Sequence, residues 1–232
     1  MAIAEVAGQR AGVVYVNNVD STTVAFPANV TAGNLLVVLG CVWKSGGNTG
    51  VTITDTRSTS YTVRWYQNSA NTNFSIYLAF GIAPSSGACT VTIDPSDLGN
   101  SIEGAIDEFS GVADPPEDVN GGSTEGSSTT PADSLTTLTA DALLLGVMGH
   151  ASAGSPTLTP GAGYTQIGEN EDSFELPFNG VFRIVTTAQA YTVDWITGAS
   201  VAWEAATEAM KPSTPAAIVE EEYWLRPRRV VT

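Results

Sequence analysis

Apolar residues in this chain fall into short runs separated by Gly, Pro, Asn and Ser, and no run reaches the length of a membrane span. The strongest is Leu35-Leu36-Val37-Val38-Leu39-Gly40-Cys41-Val42-Trp43, entered through Thr31-Ala32-Gly33-Asn34 and left through Ser45-Gly46-Gly47-Asn48. Its length, Val content and turn flanks predict a strand buried on both faces, and Phe74 to Ile82 reads the same way. Elsewhere the pattern alternates. Val51-Thr52-Ile53-Thr54-Asp55 is one such piece, and Tyr61 to Tyr66 is another, with Tyr61, Val63 and Trp65 on one face and Thr62, Arg64 and Tyr66 on the other. Ala88 to Ile93 and Ile102 to Phe109 add two strands, while Gly12 to Val16 and Thr22 to Phe26 read as entry strands pairing at an edge.

The phrase then returns. Leu138-Thr139-Ala140-Asp141-Ala142-Leu143-Leu144-Leu145-Gly146 repeats the turn and the paired leucines, Tyr164-Thr165 stands where Tyr61-Thr62 stood, and Ala190-Tyr191-Thr192-Val193 matches Ala88-Cys89-Thr90-Val91. The pattern predicts an all-β protein: an antiparallel, jelly-roll-like β-sandwich built from two sequence-similar halves, with an extended C-terminal arm. The repeats span about 30–112 and 138–211, each of about five strands, joined by a Gly/Ser/Pro-rich stretch at 113–134 that is too polar to pack as core. The Ala-rich piece Ala202 to Ala209 has helical propensity, but its position in the repeat predicts strand. Copies this small favour a shared core, hence one domain over 1–211 and a tail over 212–232.

Composition agrees, with 14% charged residues and many Gly. The formal charge of -15 argues against nucleic acid as a partner, since phosphate binding needs clustered Lys and Arg. All 24 acids lie at or before Glu222, against six basic residues there, whereas the last ten residues hold Arg226, Arg228 and Arg229. The absence of a signal-peptide pattern and of any transmembrane-length run leads us to expect no membrane partner and synthesis in a cytoplasm. Cys41 and Cys89 fall in predicted strands, as buried thiols or as a bridge between neighbouring strands.

Candidate chemistry is thin. His150 is the only histidine and ends a predicted strand, which leaves no His pair for a metal and favours a packing role. Glu103 and Asp107 share a strand face, as do Glu204 and Glu208, but Ala105 and Ala206 occupy the positions where a sandwich glycosidase would carry its middle acid. The loop acids Asp94, Asp97, Glu169, Glu171 and Asp172 form no calcium-loop motif. No catalytic residue, cofactor or metal site is expected.

Taken together, Ala32-Gly33-Asn34-Leu35-Leu36-Val37-Val38, Thr54-Asp55 before Tyr61-Thr62, Ile76 to Ala79, Gly87 to Thr92 and Asp107-Glu108-Phe109-Ser110-Gly111-Val112 carry a resemblance. The pattern resembles a broad, largely uncharacterised family of β-sandwich modules found in bacterial surface proteins and phage structural proteins. That resemblance implies a jelly-roll or lectin-like sandwich with a structural or binding role, and no catalytic residues. With no signal peptide and no attached modules, the virion side of the family is the closer fit. The expected function is a non-enzymatic virion protein, a capsid decoration or accessory component, that forms homo-oligomers and binds neighbouring copies or a major capsid protein. Tyr223, Trp224, Leu225, Arg226, Arg228 and Arg229 form the candidate anchoring group, aromatic and Arg residues being enriched at binding hot spots. The alternative is a carbohydrate-binding adhesin with Trp65, Tyr66 and Trp195 as a glycan platform.

Overall fold

The structure is a computed structural model that describes residues 1–47, 50–69, 71, 73–96, 100–150, 157–170 and 177–214. These residues form strands and no helix: β1 (Ala4–Glu5), β2 (Ala11–Val19), β3 (Thr22–Ala25), β4 (Leu35–Trp43), β5 (Val51–Asp55), β6 (Thr62–Gln67), β7 (Phe74–Ile82), β8 (Thr90–Pro95), β9 (Asn100–Ser110), β10 (Val112–Ser128), β11 (Ala132–Thr136), β12 (Leu143–His150), β13 (Leu158–Pro160), β14 (Thr165–Asn170), β15 (Phe178–Ile184), β16 (Ala190–Thr197) and β17 (Val201–Pro212). All the strand pairings are antiparallel.

Two large sheets and two small ones result. The first large sheet runs β6-β7-β4-β9, with β1 and β2 both pairing the far side of β9, and the second runs β14-β15-β12-β17-β10. The small sheets are β3-β8-β5 and β11-β16-β13. The second unit repeats the strand order of the first, β2 through β9 corresponding to β10 through β17. Within each unit the first strand lies beside the last and the chain wraps between a large and a small sheet, which is jelly-roll wiring.

Side-chain parity shows how the layers stack. Leu36, Val38 and Val42 of β4 pack with Val91 and Ile93 of β8, filling the first roll. Leu35, Val37, Leu39 and Cys41 point the other way and join Leu143, Leu145 and Val147 of β12 in a cluster that spans both large sheets. Met148, Val181, Val193 and Trp195 fill part of the second roll. Small sheet, large sheet, large sheet, small sheet is thus the order of layers. A strand in either middle layer is covered on both faces, which is why Leu35–Trp43 reads as an unbroken apolar run rather than an alternating one. The large sheets approach closely at Gly180, where a Cβ would fall 2.0 Å from Leu39 Cδ1.

Three expectations change here. Each unit has eight strands instead of about five. The stretch 113–134, expected as a joint, lies mostly in β10 and β11: β10 is a 17-residue strand along the edge of β17, and only the tight turn at Gly111, with φ of 75°, separates the units. Its polar composition fits an edge strand with half-exposed side chains, bulges and prolines, features that discourage further pairing. Pro212 ends β17 rather than beginning the tail, and the Ser213 N–H donates to Gly111 O at 2.7 Å. The tail from 215 onward, including Tyr223, Trp224, Leu225, Arg226, Arg228 and Arg229, lies outside the described residues.

Candidate functional site

The seam between the large sheets holds the residues with the most chemistry. On β9, Ala105 and Phe109 face the seam, so period-two alternation puts Glu103 and Asp107 there too. On β17, Ala206 and Met210 do the same for Glu204 and Glu208. All four acids are at most 3% exposed. Register makes them counterparts: Leu35 of β4 opposes Phe109, and its counterpart Leu143 of β12 opposes Met210, so Glu103 corresponds to Glu204 and Asp107 to Glu208.

Two arginines answer two of these acids. Arg64 of β6 donates from Nε to Glu208 Oε1 at 2.7 Å and from Nη2 to Glu117 of β10. Arg10, just before β2, donates from Nε to Asp107 Oδ2 at 3.3 Å and from Nη2 to Glu5 Oε1 at 2.6 Å. Each guanidinium also lies over a phenylalanine, Arg64 at 6.0 Å from the Phe80 ring centre and Arg10 at 5.7 Å from Phe182. Phe80 and Phe182 occupy corresponding places on β7 and β15. Each roll therefore presents a buried acid to a phenylalanine of the other, with an arginine between them and a second acid at the rim. Burial dominates the acids' titration: it raises Asp107 to about 6 and Glu208 to about 7 against the lowering effect of their arginines. Glu204 is also raised to about 7, by burial and with Glu125 nearby.

The other acids of the repeated motifs hold turns. Glu108 faces the opposite way from Asp107, and its Oε1 accepts from Asn34 Nδ2 at 2.6 Å and from Thr31 N at 2.9 Å, tying β9 to the turn that leads into β4. Asp55 accepts from Arg57 N, Thr59 N and Tyr61 Oη. Burial alone would raise its carboxyl, but those hydrogen bonds outweigh it and hold the group below its ordinary value. In the second roll Ala209 stands in the place of Glu108, and Asp118 of β10 supplies the turn bonds to Leu138 N and Thr139 N.

His150 ends β12 with its ring fully buried, and burial lowers it to about 4, so it is neutral. Cys41 and Cys89 form no disulfide. Cys41 faces the seam and Cys89 the core of the first roll, on opposite sides of the first large sheet; burial raises Cys41 well above its ordinary value and Cys89 to about 12, which disfavours a thiolate at either.

The glycan platform is not assembled. Trp195 is fully buried, its Nε1 donating to Asn179 Oδ1 at 3.1 Å, so it offers no face to a sugar. Trp65 packs on the core of the first roll, while Tyr66, one residue on, packs on the seam from the other face of β6. The polar loop acids Asp97, Glu171 and Asp172 lie outside the described residues, and no group of three His, Cys, Asp or Glu side chains among the described ones converges to hold a metal. A cleft of about 500 Å³ is lined by Ser60, Thr62, Ile82, Pro84, Asp114 and Pro116 among others, and among the described residues Asp114 is its only titratable wall. Sequence reasoning missed Arg10 and Arg64 as seam ligands; the available signal was the presence of single arginines near buried strands in a chain so poor in cations. No protein-family model, curated protein or solved structure matches the chain.

Proposed function

We propose that the protein is a non-enzymatic structural component of an assembled surface, most concretely a phage virion protein of the capsid-decoration or accessory kind, acting through contacts with neighbouring copies or a major capsid protein. One observation supports this reading above others: Asp107 and Glu208 are turned into the seam and paired with arginines, and Glu108 is tied to a turn, all away from the cleft. Groups engaged in this way position backbone and bury surface, and they offer no open nucleophile or acid–base pair to a substrate. The anchoring role falls to Tyr223, Trp224, Leu225, Arg226, Arg228 and Arg229, cationic and aromatic against a body that is strongly acidic.

Sedimentation of the full chain across a salt series, beside a variant with Arg226, Arg228 and Arg229 changed to Glu, tests the proposal. The reading expects an oligomer that weakens with salt and is lost in the variant. An unchanged sedimentation profile in the variant, with the native one assembled, removes the tail from the account.

A further inference from the structure

Both ends of the described chain meet at one pole of the molecule. Pro212 of β17 opposes Val112 of β10, the Ser213 N–H donates to Gly111 O, and the Met1 ammonium donates to Ser213 O at 2.9 Å. The chain therefore leaves the body beside the start of β10. The cleft lies at the same place, because Asp114 and Pro116 of β10 line it together with Thr62 of β6, Phe80 and Ile82 of β7, and Pro84. Asp114 is only two residues along β10 from Val112, about 7 Å at the rise of a strand. It is exposed, and its charge is unanswered: Arg10 and Arg64 are committed to the seam, and among the described residues no Arg or Lys pairs with Asp114. The cleft thus sets apolar side chains beside a single carboxylate. That chemistry suits a segment carrying a large apolar side chain next to a cation.

We propose that this cleft receives the C-terminal arm of a second copy of the chain, with Trp224 against Ile82, Pro84 and Pro116 and Arg226 on Asp114. Alternate residues of an extended segment share a side, so Trp224 and Arg226 enter the cleft together, ~7 Å apart. Charge points the same way: Arg226, Arg228 and Arg229 are the only cations after Lys211, in a chain with 24 acids. Length selects a neighbour over the chain's own cleft. Arg226 is twelve residues past Thr214, a reach of up to ~40 Å when extended, whereas Asp114 lies only a few residues from the exit. A self-contact has to fold that surplus back, while an arm crossing to another copy uses it. Because exit and cleft share a pole, two copies meeting there about a two-fold axis place each exit beside the other's cleft, and the exchange closes as a dimer. The inference rests on the assembly reading above and adds to it the receptor and the symmetry.

Sedimentation equilibrium of the full chain tests this, beside the cleft variant Asp114→Arg, the arm variant with Arg226, Arg228 and Arg229 changed to Glu, and an equimolar mixture of the two variants. The native chain is expected to sediment as a dimer that weakens with salt. Each variant alone self-associates at least ~10-fold more weakly. The mixture recovers a heterodimer: the arginine arm of the cleft variant meets Asp114 of the arm variant, and the glutamate arm meets the reversed cleft. A misfolded variant cannot give that rescue, and Trp224→Ala, which leaves the body untouched, weakens the dimer as well. If the arm variant dissociates while Asp114→Arg stays dimeric, the arm binds elsewhere; the cleft proposal is overturned and the assembly reading stands. A mixture no more associated than its separate components also overturns the cleft, as does a Trp224→Ala chain as tightly paired as the native one. A monomeric native chain overturns the proposal and leaves the assembly reading only its contact with a different protein.

Discussion

The buried ion pairs hold their positions at an energetic cost. Taking a carboxylate and a guanidinium out of water is expensive, and the attraction between them roughly repays it, so removing one partner is worse than removing both. Arg64→Met strands Glu208 and is expected to cost about 2–3 kcal/mol, below the range for fully buried pairs because Arg64 is a quarter exposed. Arg64→Met combined with Glu208→Leu recovers most of that loss. Urea unfolding of the two variants decides it; a double variant no better than the single one contradicts the pairing. At the turns, Glu108→Ala leaves Thr31 N and the Asn34 amide without their acceptor and costs ~1–3 kcal/mol by the same measurement. Sequence alone placed Glu103 and Asp107 on one face of a strand, because period-two alternation needs no tertiary information. It did not show that this pair faces a seam and that Glu108 holds a turn. Those partners, Arg10, Arg64 and Asn34, are brought in from 70 or more residues away by pairings that no local pattern encodes.

At the scale of the strand, legibility followed burial. β4, β7 and β12 stood out as apolar runs because both of their faces are covered. β10 did not: an edge strand with half its side chains in solvent carries Gly, Ser, Pro and acids, and a polar strand of this kind looks like a linker until its partner β17 is seen. Ala202 to Ala209 shows the converse, where strong helix formers lie in a central strand because small residues suit a position between two covered faces. The two large sheets fit closely at β15, where Gly180 accommodates Leu39 of β4 across the seam. Gly180→Ala over-packs that contact and is expected to cost ~1–3 kcal/mol. A denaturation midpoint equal to that of the native chain would mean that the sheets separate there at no cost.

For the whole molecule, the raised acids set the pH response. Asp107, Glu204 and Glu208 bind protons more tightly folded than unfolded, so their contribution is complete below the ordinary carboxylate range and is lost as pH rises through about 6 to 7. Asp55 works in the other direction, its contribution fading as pH falls through its lowered folded value. Stability therefore peaks in mildly acidic solution and declines toward and above neutrality; a flat profile across neutrality in thermal unfolding contradicts this. The seam also makes a stronger claim. Its apolar cluster draws Leu35, Val37, Leu39, Leu143, Leu145 and Val147 from both rolls, so neither roll has a complete core without the other. Scanning calorimetry of the full chain in mildly acidic buffer tests this most directly. One transition, with calorimetric and van't Hoff enthalpies equal, is the predicted result. Two resolved transitions, each with about half the enthalpy, would mean that the rolls fold independently and that the acids between them join surfaces rather than a core.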